Sequence, residues 1–397
     1  MSSTQVNNTE FYLGIMTGTS LDGVDIALVE IGVDQDSKPV IELHHSRAFH
    51  LPESLTEQLA ELSQVDFEPT SLFQIKALEQ AYTLAIADCV NAFVRQIRWS
   101  QPIKAIGCHG LTVCHHPKPE PESDLEQGFS WQILDGSLLA AKTQLDVVYD
   151  FRSKDVALGG EGAPLVPPFH QTLFQYLDEQ HQGQTICLNL GGIANISFWR
   201  DQLCYGFDTG PANTLMDSWI QLYQQQPYDA DGQWAAQGQV CGALLAHLLK
   251  DEYFSLPFPK STGKEYFNLS WLKQKIANFS DTSKQTCGNI KAVDVQATLL
   301  HLTAKSIAMA VEKLSDKGVL VCCGGGVRNS QLMSVVADYL PNYEVKTSTE
   351  LGVSSDDIEA MAFAWLGYCR VHGIPAGKAT VTNAHTDSVL GAWVTAQ

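Results

Sequence analysis

The stretch Gly14-Ile15-Met16-Thr17-Gly18-Thr19-Ser20-Leu21-Asp22-Gly23-Val24-Asp25 decides how the rest of the chain is read. Phe11 to Met16 is a short β-rich run and Val24 to Ile31 a second, so Thr17 to Gly23 is a tight polar turn between strands. Gly18 and Gly23 let the backbone turn sharply, Thr19 and Ser20 add hydroxyls, and Asp22 and Asp25 add carboxylates. Amides and hydroxyls in a turn of small residues can cradle phosphate oxygens. A carboxylate beside them can position Mg2+, usually through water. An ordinary hairpin explains the same Asp-Gly pair equally well.

Outward from this turn the chain alternates strands and helices. Val40 to Phe49 is a third strand. Leu72, Ile75, Leu78, Leu84, Ile86, Val90, Phe93 and Val94 then follow a roughly helical period. Ile103 to Cys108 is a buried strand ending in His109-Gly110; a Pro-rich loop, a short helix near Leu138 and the strand Val147 to Phe151 follow. The second half repeats the order: strands Thr185 to Leu190, Ile193 to Trp199 and Leu203 to Phe207, helices up to Leu314, then Val319 to Cys323, a helix from Gln331, Tyr343 to Lys346 and a helix from Asp356 to Cys369. Each half reads β-β-β-α-β-α-β-α. The expectation is an α/β protein of two domains, 1–165 and 166–379, with 380–397 able to return to the first. Sheets covered on both faces bind ligands beyond their strand ends, and two facing domains make a cleft. Gly159-Gly160-Glu161-Gly162-Ala163-Pro164 is an ordered loop expected near it.

Asp208-Thr209-Gly210-Pro211-Ala212-Asn213 stands at a strand end before a helix. Pro211 suits a first helical position and Thr209 a cap, which leaves Asp208 free for chemistry. Gly324-Gly325-Gly326-Val327-Arg328-Asn329 follows an apolar strand. Its glycines let backbone lie flat against a planar ligand, or allow close strand–helix packing. Asp356-Asp357-Ile358-Glu359 opens the last helix, where the dipole favours acids.

Composition removes several function classes. The 397 residues carry 44 acidic and 25 basic side chains, a net charge of −19 that repels phosphate backbones and anionic lipid. Neither a nucleic-acid partner nor a membrane surface is expected. No run approaches the ~20 apolar residues of a membrane span. Met1 to Glu10 lacks a signal-peptide pattern, and the 10 cysteines show no regular framework and read as reduced thiols, so the expected location is cytoplasmic. Lys260-Ser261-Thr262-Gly263-Lys264-Glu265 lacks the upstream glycine and trailing hydroxyl of a P-loop. Cys108, His109, Cys114, His115 and His116 match no zinc frame.

Taken in order, the 14–25 stretch, Cys108-His109-Gly110-Leu111-Thr112, Asp150-Phe151-Arg152, Asn189-Leu190-Gly191-Gly192-Ile193-Ala194-Asn195, Phe207-Asp208-Thr209-Gly210-Pro211, Cys323 to Asn329 and Asp357-Ile358-Glu359-Ala360 resemble the anhydro-N-acetylmuramic acid kinases over nearly the whole chain. Thr17 and Ala212 depart from the usual serine and glycine and stay small.

The resemblance implies two actin-like, ribonuclease H-like domains with nucleotide and sugar in the cleft, ATP and Mg2+ as cofactors, a homodimer, and a role in peptidoglycan recycling. It places Gly18, Thr19, Ser20, Leu21, Asp22, Gly23, Val24 and Asp25 on the ATP phosphates, with Asp22 towards Mg2+. Gly191, Gly192, Asn195, Thr209 and Gly210 belong to the second phosphate turn, and Gly324, Gly325, Gly326 and Asn329 flank the nucleotide. It makes Asp208 the catalytic base; Glu359, one turn into the last helix, is expected to help orient the same water. His109, Gln132, Asp150, Arg152, Gly159 and Gly160 line the sugar site. An ordinary amino-sugar kinase on this fold, or a chaperone- or actin-like ATPase, are the readings that the bare chemistry leaves open.

Overall fold

The computed structural model describes the chain except for residues 1–6, 19–20, 22, 34–38, 63–70, 120–124, 181–183, 202 and 283–289. Its strands in chain order are β1 (Asn7–Thr17), β2 (Val24–Val33), β3 (Pro39–Phe49), β4 (Ile103–Cys108), β5 (Leu111–His116), β6 (Phe129–Ile133), β7 (Val147–Tyr149), β8 (Thr185–Leu190), β9 (Ile193–Arg200), β10 (Leu203–Pro211), β11 (Gly318–Cys323), β12 (Tyr343–Thr347) and β13 (Ala392–Val394). Contacts divide the chain into two units, residues 1–173 with 357–397, and residues 174–356.

In the first unit the sheet order is β13-β7-β4-β1-β2-β3. β1, β2 and β3 form an antiparallel meander, and β4 and β7 continue the sheet in parallel. In the second unit the order is β10-β9-β8-β11-β12, again an antiparallel meander followed by two parallel strands. Numbered within each sheet, both run third, second, first, fourth, fifth, and β13 adds a sixth, antiparallel strand at the edge of the first. This shared order is the actin-like, ribonuclease H-like topology that the family resemblance implies.

The strands form where β-branched and aliphatic residues recur. Ile26, Leu28 and Val24 of β2 pack with Tyr82, Ile86 and Phe93 of the helix Leu72–Ile97. Ser71 caps that helix, its side chain accepting from the Gln74 amide at 3.3 Å. The second core forms around the helix Ala292–Glu312, where Leu299, Leu302 and Ile307 meet Ile186, Leu188 and Phe207.

The sequence pattern assigns the last helix to the second half. In the structure Ile358–Val371 packs on β1 and β4 of the first unit. The reason lies in small residues at the contact. A Cβ on Gly14 would fall 1.7 Å from the Ala360 carbonyl oxygen, and one on Gly107 would fall 1.9 Å from that of Phe363. Only glycine allows this approach of helix to sheet. A second difference is the β5–β6 hairpin, which is hidden in sequence by the prolines of the loop it brackets.

Candidate active site

Two clusters of functional side chains form, one inside each unit. In the first, β4 delivers His109 directly after its last residue, and the His109 amide donates to the Ile15 carbonyl at 3.1 Å. The imidazole is buried, with Nδ1 2.8 Å from the Gly110 carbonyl oxygen. Nε2 accepts from Arg152, from Nε at 3.2 Å and from Nη2 at 2.9 Å. A carbonyl on one nitrogen and a guanidinium on the other define a single neutral tautomer, with the proton on Nδ1. Burial, helped by the Arg152 charge, pushes the His109 pKa down to about 3. Burial also lowers Arg152 to about 10, opposed by the charges of Glu359 and Asp155, so the guanidinium stays charged at neutral pH.

Glu359, exposed in the first turn of its helix, thus shares an electrostatic neighbourhood with Arg152 and His109. Arg152 Nη1 also donates to the Gly162 carbonyl at 2.7 Å. Gln132 on β6 donates to Ser130 at 2.7 Å and to Thr112 at 3.3 Å, and Ser130 Oγ is 2.9 Å from His115 Nδ1. The Gln132 Oε1 atom is buried with no hydrogen-bond partner among the described residues. Such an acceptor calls for a donor from a ligand or a solvent molecule. Asp150 takes a left-handed conformation at φ 53°, and its carboxylate accepts from Ser153 Oγ at 2.5 Å.

The Gly159-Gly160 loop is held by a residue that sequence reasoning missed. Asp155 is fully buried and accepts from Thr382 Oγ1 at 2.7 Å and from the Gly162 amide at 2.8 Å. A Cβ on Gly160 would lie 2.2 Å from Asp155 Oδ2, and one on Gly159 would lie 3.1 Å from the His385 ring. The visible trace of Asp155 in sequence is only an aspartate on a short helix before a glycine run. Its partner Thr382 is too distant along the chain to be anticipated.

At the turn between β1 and β2, the Leu21 amide closes onto the Gly18 carbonyl at 3.0 Å, and Leu21 sits at φ 56°. Val24 is core, Gly23 is partly buried, and Asp25 faces Met16 across the β1–β2 pair. Thr19, Ser20 and Asp22, the hydroxyl and metal candidates, lie outside the described residues.

In the second unit, β8, β9 and β10 place Asn189, Asn195 and Asp208 in one cross-strand row, with Cys323 of β11 beside Asn189. β10 continues through Asp208 to Pro211, and its register shifts between Asp208 and Gly210. Thr209 and Pro211 therefore do not start the helix as their residue types suggest. The helix begins at Asn213 after Ala212, and Thr209 Oγ1 donates to the Ala194 carbonyl instead. No cap is needed, because the Asn213 and Thr214 amides donate to the carbonyls of Gly191 and Gly192, each at 3.1 Å.

The segment rejected as a P-loop wraps Asp208. Its Oδ2 accepts from the Thr262 amide at 2.9 Å and from Ser261 Oγ at 3.3 Å, and the Asp208 amide donates to the Lys260 carbonyl at 3.0 Å. Oδ1 carries no hydrogen bond among the described residues. Burial raises the Asp208 pKa to about 6, against the lowering effect of Thr262 and Ser261. The sequence reading treats this carboxylate as an ordinary weak base; the structure makes it a stronger one, still mostly ionised at pH 7.

The glycine run after β11 divides in two. Gly324 and Gly326 are required by packing, since their Cβ atoms would meet Asn189 Oδ1 at 2.3 Å and Leu190 Cβ at 2.7 Å. Gly325 has nothing within 4 Å and remains available to a flat ligand. Asn329 has a structural task of its own, capping the helix Ser330–Tyr339 by accepting from the Leu332 amide at 3.0 Å.

Two units of actin-like topology, with glycine turns after their first strands and a carboxylate on β10, place the protein in the actin-like class of sugar kinases and heat-shock ATPases. The family model described as anhydro-N-acetylmuramic acid kinase matches residues 10–396. The chain belongs to that family. It is 45% identical over 390 residues to the anhydro-N-acetylmuramic acid kinase of Haemophilus influenzae, covering 96% of this chain and 97% of that one. To the enzyme of the same name from Vibrio cholerae it is 43% identical, covering 96% and 97%. Among solved structures, the activator of 2-hydroxyisocaproyl-CoA dehydratase from Clostridium difficile overlays with a TM-score of 0.42 at 10% identity, covering 91% of this chain and 96% of that one. The fold assignment rests on strand order within each unit.

Proposed function

We propose that this protein converts 1,6-anhydro-N-acetylmuramic acid, water and ATP into N-acetylmuramic acid 6-phosphate and ADP, in the recycling of peptidoglycan. Family membership supports the substrate, and the state of Asp208 carries the mechanism. One oxygen of that carboxylate is tied by the 260–262 segment while Oδ1 is open, and its pKa of about 6 suits a base at neutral pH.

The bonds dictate the rest. In a 1,6-anhydro sugar O6 is already bonded to C1, so there is no 6-hydroxyl to deprotonate. Water attacks C1 as the C1–O6 bond breaks, and O6 keeps that electron pair. O6 attacks the γ-phosphorus, and the bond from that phosphorus to the β–γ bridging oxygen breaks to release ADP. Asp208 takes the proton from water and passes it to solvent, one proton per turnover. An inverting glycosidase needs a second carboxyl group to protonate the leaving oxygen; here the phosphoryl group accepts that oxygen, and no general acid is required. Glu359 helps orient the water.

Mg2+ would enter with ATP as part of that substrate, and Asp22 is the carboxylate that would hold it, through water. The amides of the 18–25 and 191–192 turns bind phosphate, Thr209, Gly210 and Asn195 line the second turn, and Gly325 faces the nucleotide. His109, Arg152, Gln132, Asp150 and the Gly159-Gly160 loop form the sugar side, where the unpartnered Gln132 Oε1 fits a hydroxyl or amide donor. The working form is a cytoplasmic homodimer, which sedimentation of the purified protein would test; no described helix is long and apolar enough to cross a membrane.

Turnover in 18O-water, with mass analysis of the sugar before mutarotation, tests the reaction. Label at the anomeric oxygen of a 6-phosphate is expected. ADP release with free amino sugars but not with the anhydro sugar would instead identify an ordinary sugar kinase.

A further inference from the structure

Phosphoryl transfer spreads charge over the γ-oxygens, and a cation held at that position offsets it. Near Asp208 the second unit offers two lysines on the same segment. Lys260 is turned inward: Nζ donates to the Tyr253 carbonyl at 2.8 Å and stacks 4.3 Å from the Tyr253 ring centre. Lys264 is different. It is exposed, donates no hydrogen bond among the described residues, and acts at longer range on the half-buried Asp217 carboxylate, whose burial-raised pKa its charge lowers.

Its position is nonetheless well defined. Thr262, two residues earlier, holds the Asp208 carboxylate, and the Phe267 amide, three residues later, closes onto the Gly263 carbonyl at 3.0 Å, with Phe267 fully buried. From that turn the lysine stem crosses the β8–β9 turn. Its Cε lies 2.9 Å, and its Nζ 3.8 Å, from where a Cβ on Gly192 would stand. Gly192 thus provides the room through which the ammonium reaches the turn. The Gly191 and Gly192 carbonyls are committed to the start of the Asn213–Gln224 helix, so what this turn has left to offer an anion is its amides.

We infer that Lys264 is a catalytic residue that meets the γ-phosphoryl group of ATP over Gly192, with its segment coupling that cation to the base Asp208. The inference rests on the kinase reading above. The lysine donates to the non-bridging γ-oxygens and offsets the charge that builds on them as the phosphoryl group passes from ADP to O6. It forms no covalent bond and exchanges no proton. ADP, which lacks that group, gains little from it.

Lys264→Met keeps the stem and removes the charge, and Lys264→Arg restores the charge. Nucleotide titration without sugar should show the Met variant losing affinity for a non-hydrolysable ATP analogue about tenfold, with ADP affinity within twofold of wild type. With saturating sugar and nucleotide its kcat should fall on the order of 10²-fold, the sugar KM should hold, and the Arg variant should regain most of the loss. Unchanged kcat, or equal weakening of ADP and the ATP analogue, would overturn the inference. The titrations need no sugar, so they stand apart from the wild-type reaction with the anhydro sugar, whose absence would instead remove the substrate assignment.

Discussion

The imidazole Nε2 of His109 accepts from Arg152 Nη2 at 2.9 Å, while Nδ1 faces the Gly110 carbonyl oxygen at 2.8 Å. One ring nitrogen is therefore spent on anchoring the imidazole to the backbone and the other on fixing the guanidinium in place. His109 is the residue a motif search would name as acid or base, yet a buried imidazole with a pKa near 3 does neither at neutral pH. In this site it positions, and the charge it positions belongs to Arg152.

His109→Gln tests that role. An amide can still accept from Arg152, so the variant should fold, lose about 1 kcal/mol at pH 7 and bind sugar about tenfold less well. The folded pKa of His109 lies below the ordinary ~6.5 of an unfolded histidine, so the unfolded chain takes up a proton first as pH falls. Wild type should therefore lose its advantage over the variant by about 1.4 kcal/mol per pH unit between pH 6 and pH 4. Denaturant titrations across that range measure it, and a constant difference would show that His109 titrates normally.

Asp208→Asn should cut kcat on the order of 10³-fold or more and at the same time stabilise the protein. The folded pKa of about 6 lies above the unfolded value, so the fold prefers the protonated form. Above pH 6 the ionised carboxylate costs stability, and this cost fades as pH falls through 4. The variant should be about 1–2 kcal/mol more stable at pH 8, with the gain shrinking towards pH 4. In wild type kcat should fall on the acid side with an apparent pKa near 6, and Ser261→Ala, which removes a hydrogen bond that lowers that pKa, should move the limb to higher pH.

The strands could be read from sequence because each sheet is built from runs of apolar and β-branched residues between glycine turns. The candidate site motifs stood out because they sit where those runs stop. What remained hidden is held by contacts between distant parts of the chain. Asp155 and Thr382 meet across 227 positions. Ser261 and Thr262 reach Asp208 from a segment that looks like a failed phosphate loop. The last helix joins the first sheet because Gly14 and Gly107 leave no side chain in its way. Thr209 and Pro211 misled for a local reason, since a carbonyl turn did the capping that their residue types suggest.

Gly160→Ala should damage the sugar side without touching the nucleotide turns. The new methyl would stand 2.2 Å from Asp155 Oδ2, and that buried carboxylate cannot retreat without breaking its bonds to Thr382 and Gly162. The loop should shift, with about 2 kcal/mol of stability lost and the sugar KM raised more than the ATP KM. Thermal melts and steady-state kinetics with each substrate varied would show it. A variant with wild-type melting and wild-type sugar KM would mean the loop has slack the structure does not display.

Glu359 stands exposed at the first turn of its helix, close enough for its charge to help Arg152 keep its proton. The two tasks open to it separate in kinetics. If Glu359 orients the water that Asp208 deprotonates, Glu359→Gln should lower kcat about 10- to 100-fold and leave the sugar KM within a few fold. The acid limb should stay near pH 6, because that titration belongs to Asp208. If its work is instead to hold Arg152, the loss should fall on the sugar KM, and kcat at saturating sugar should be nearly intact. We expect the first pattern, since Arg152 is already fixed by His109 and by the Gly162 carbonyl without help from Glu359.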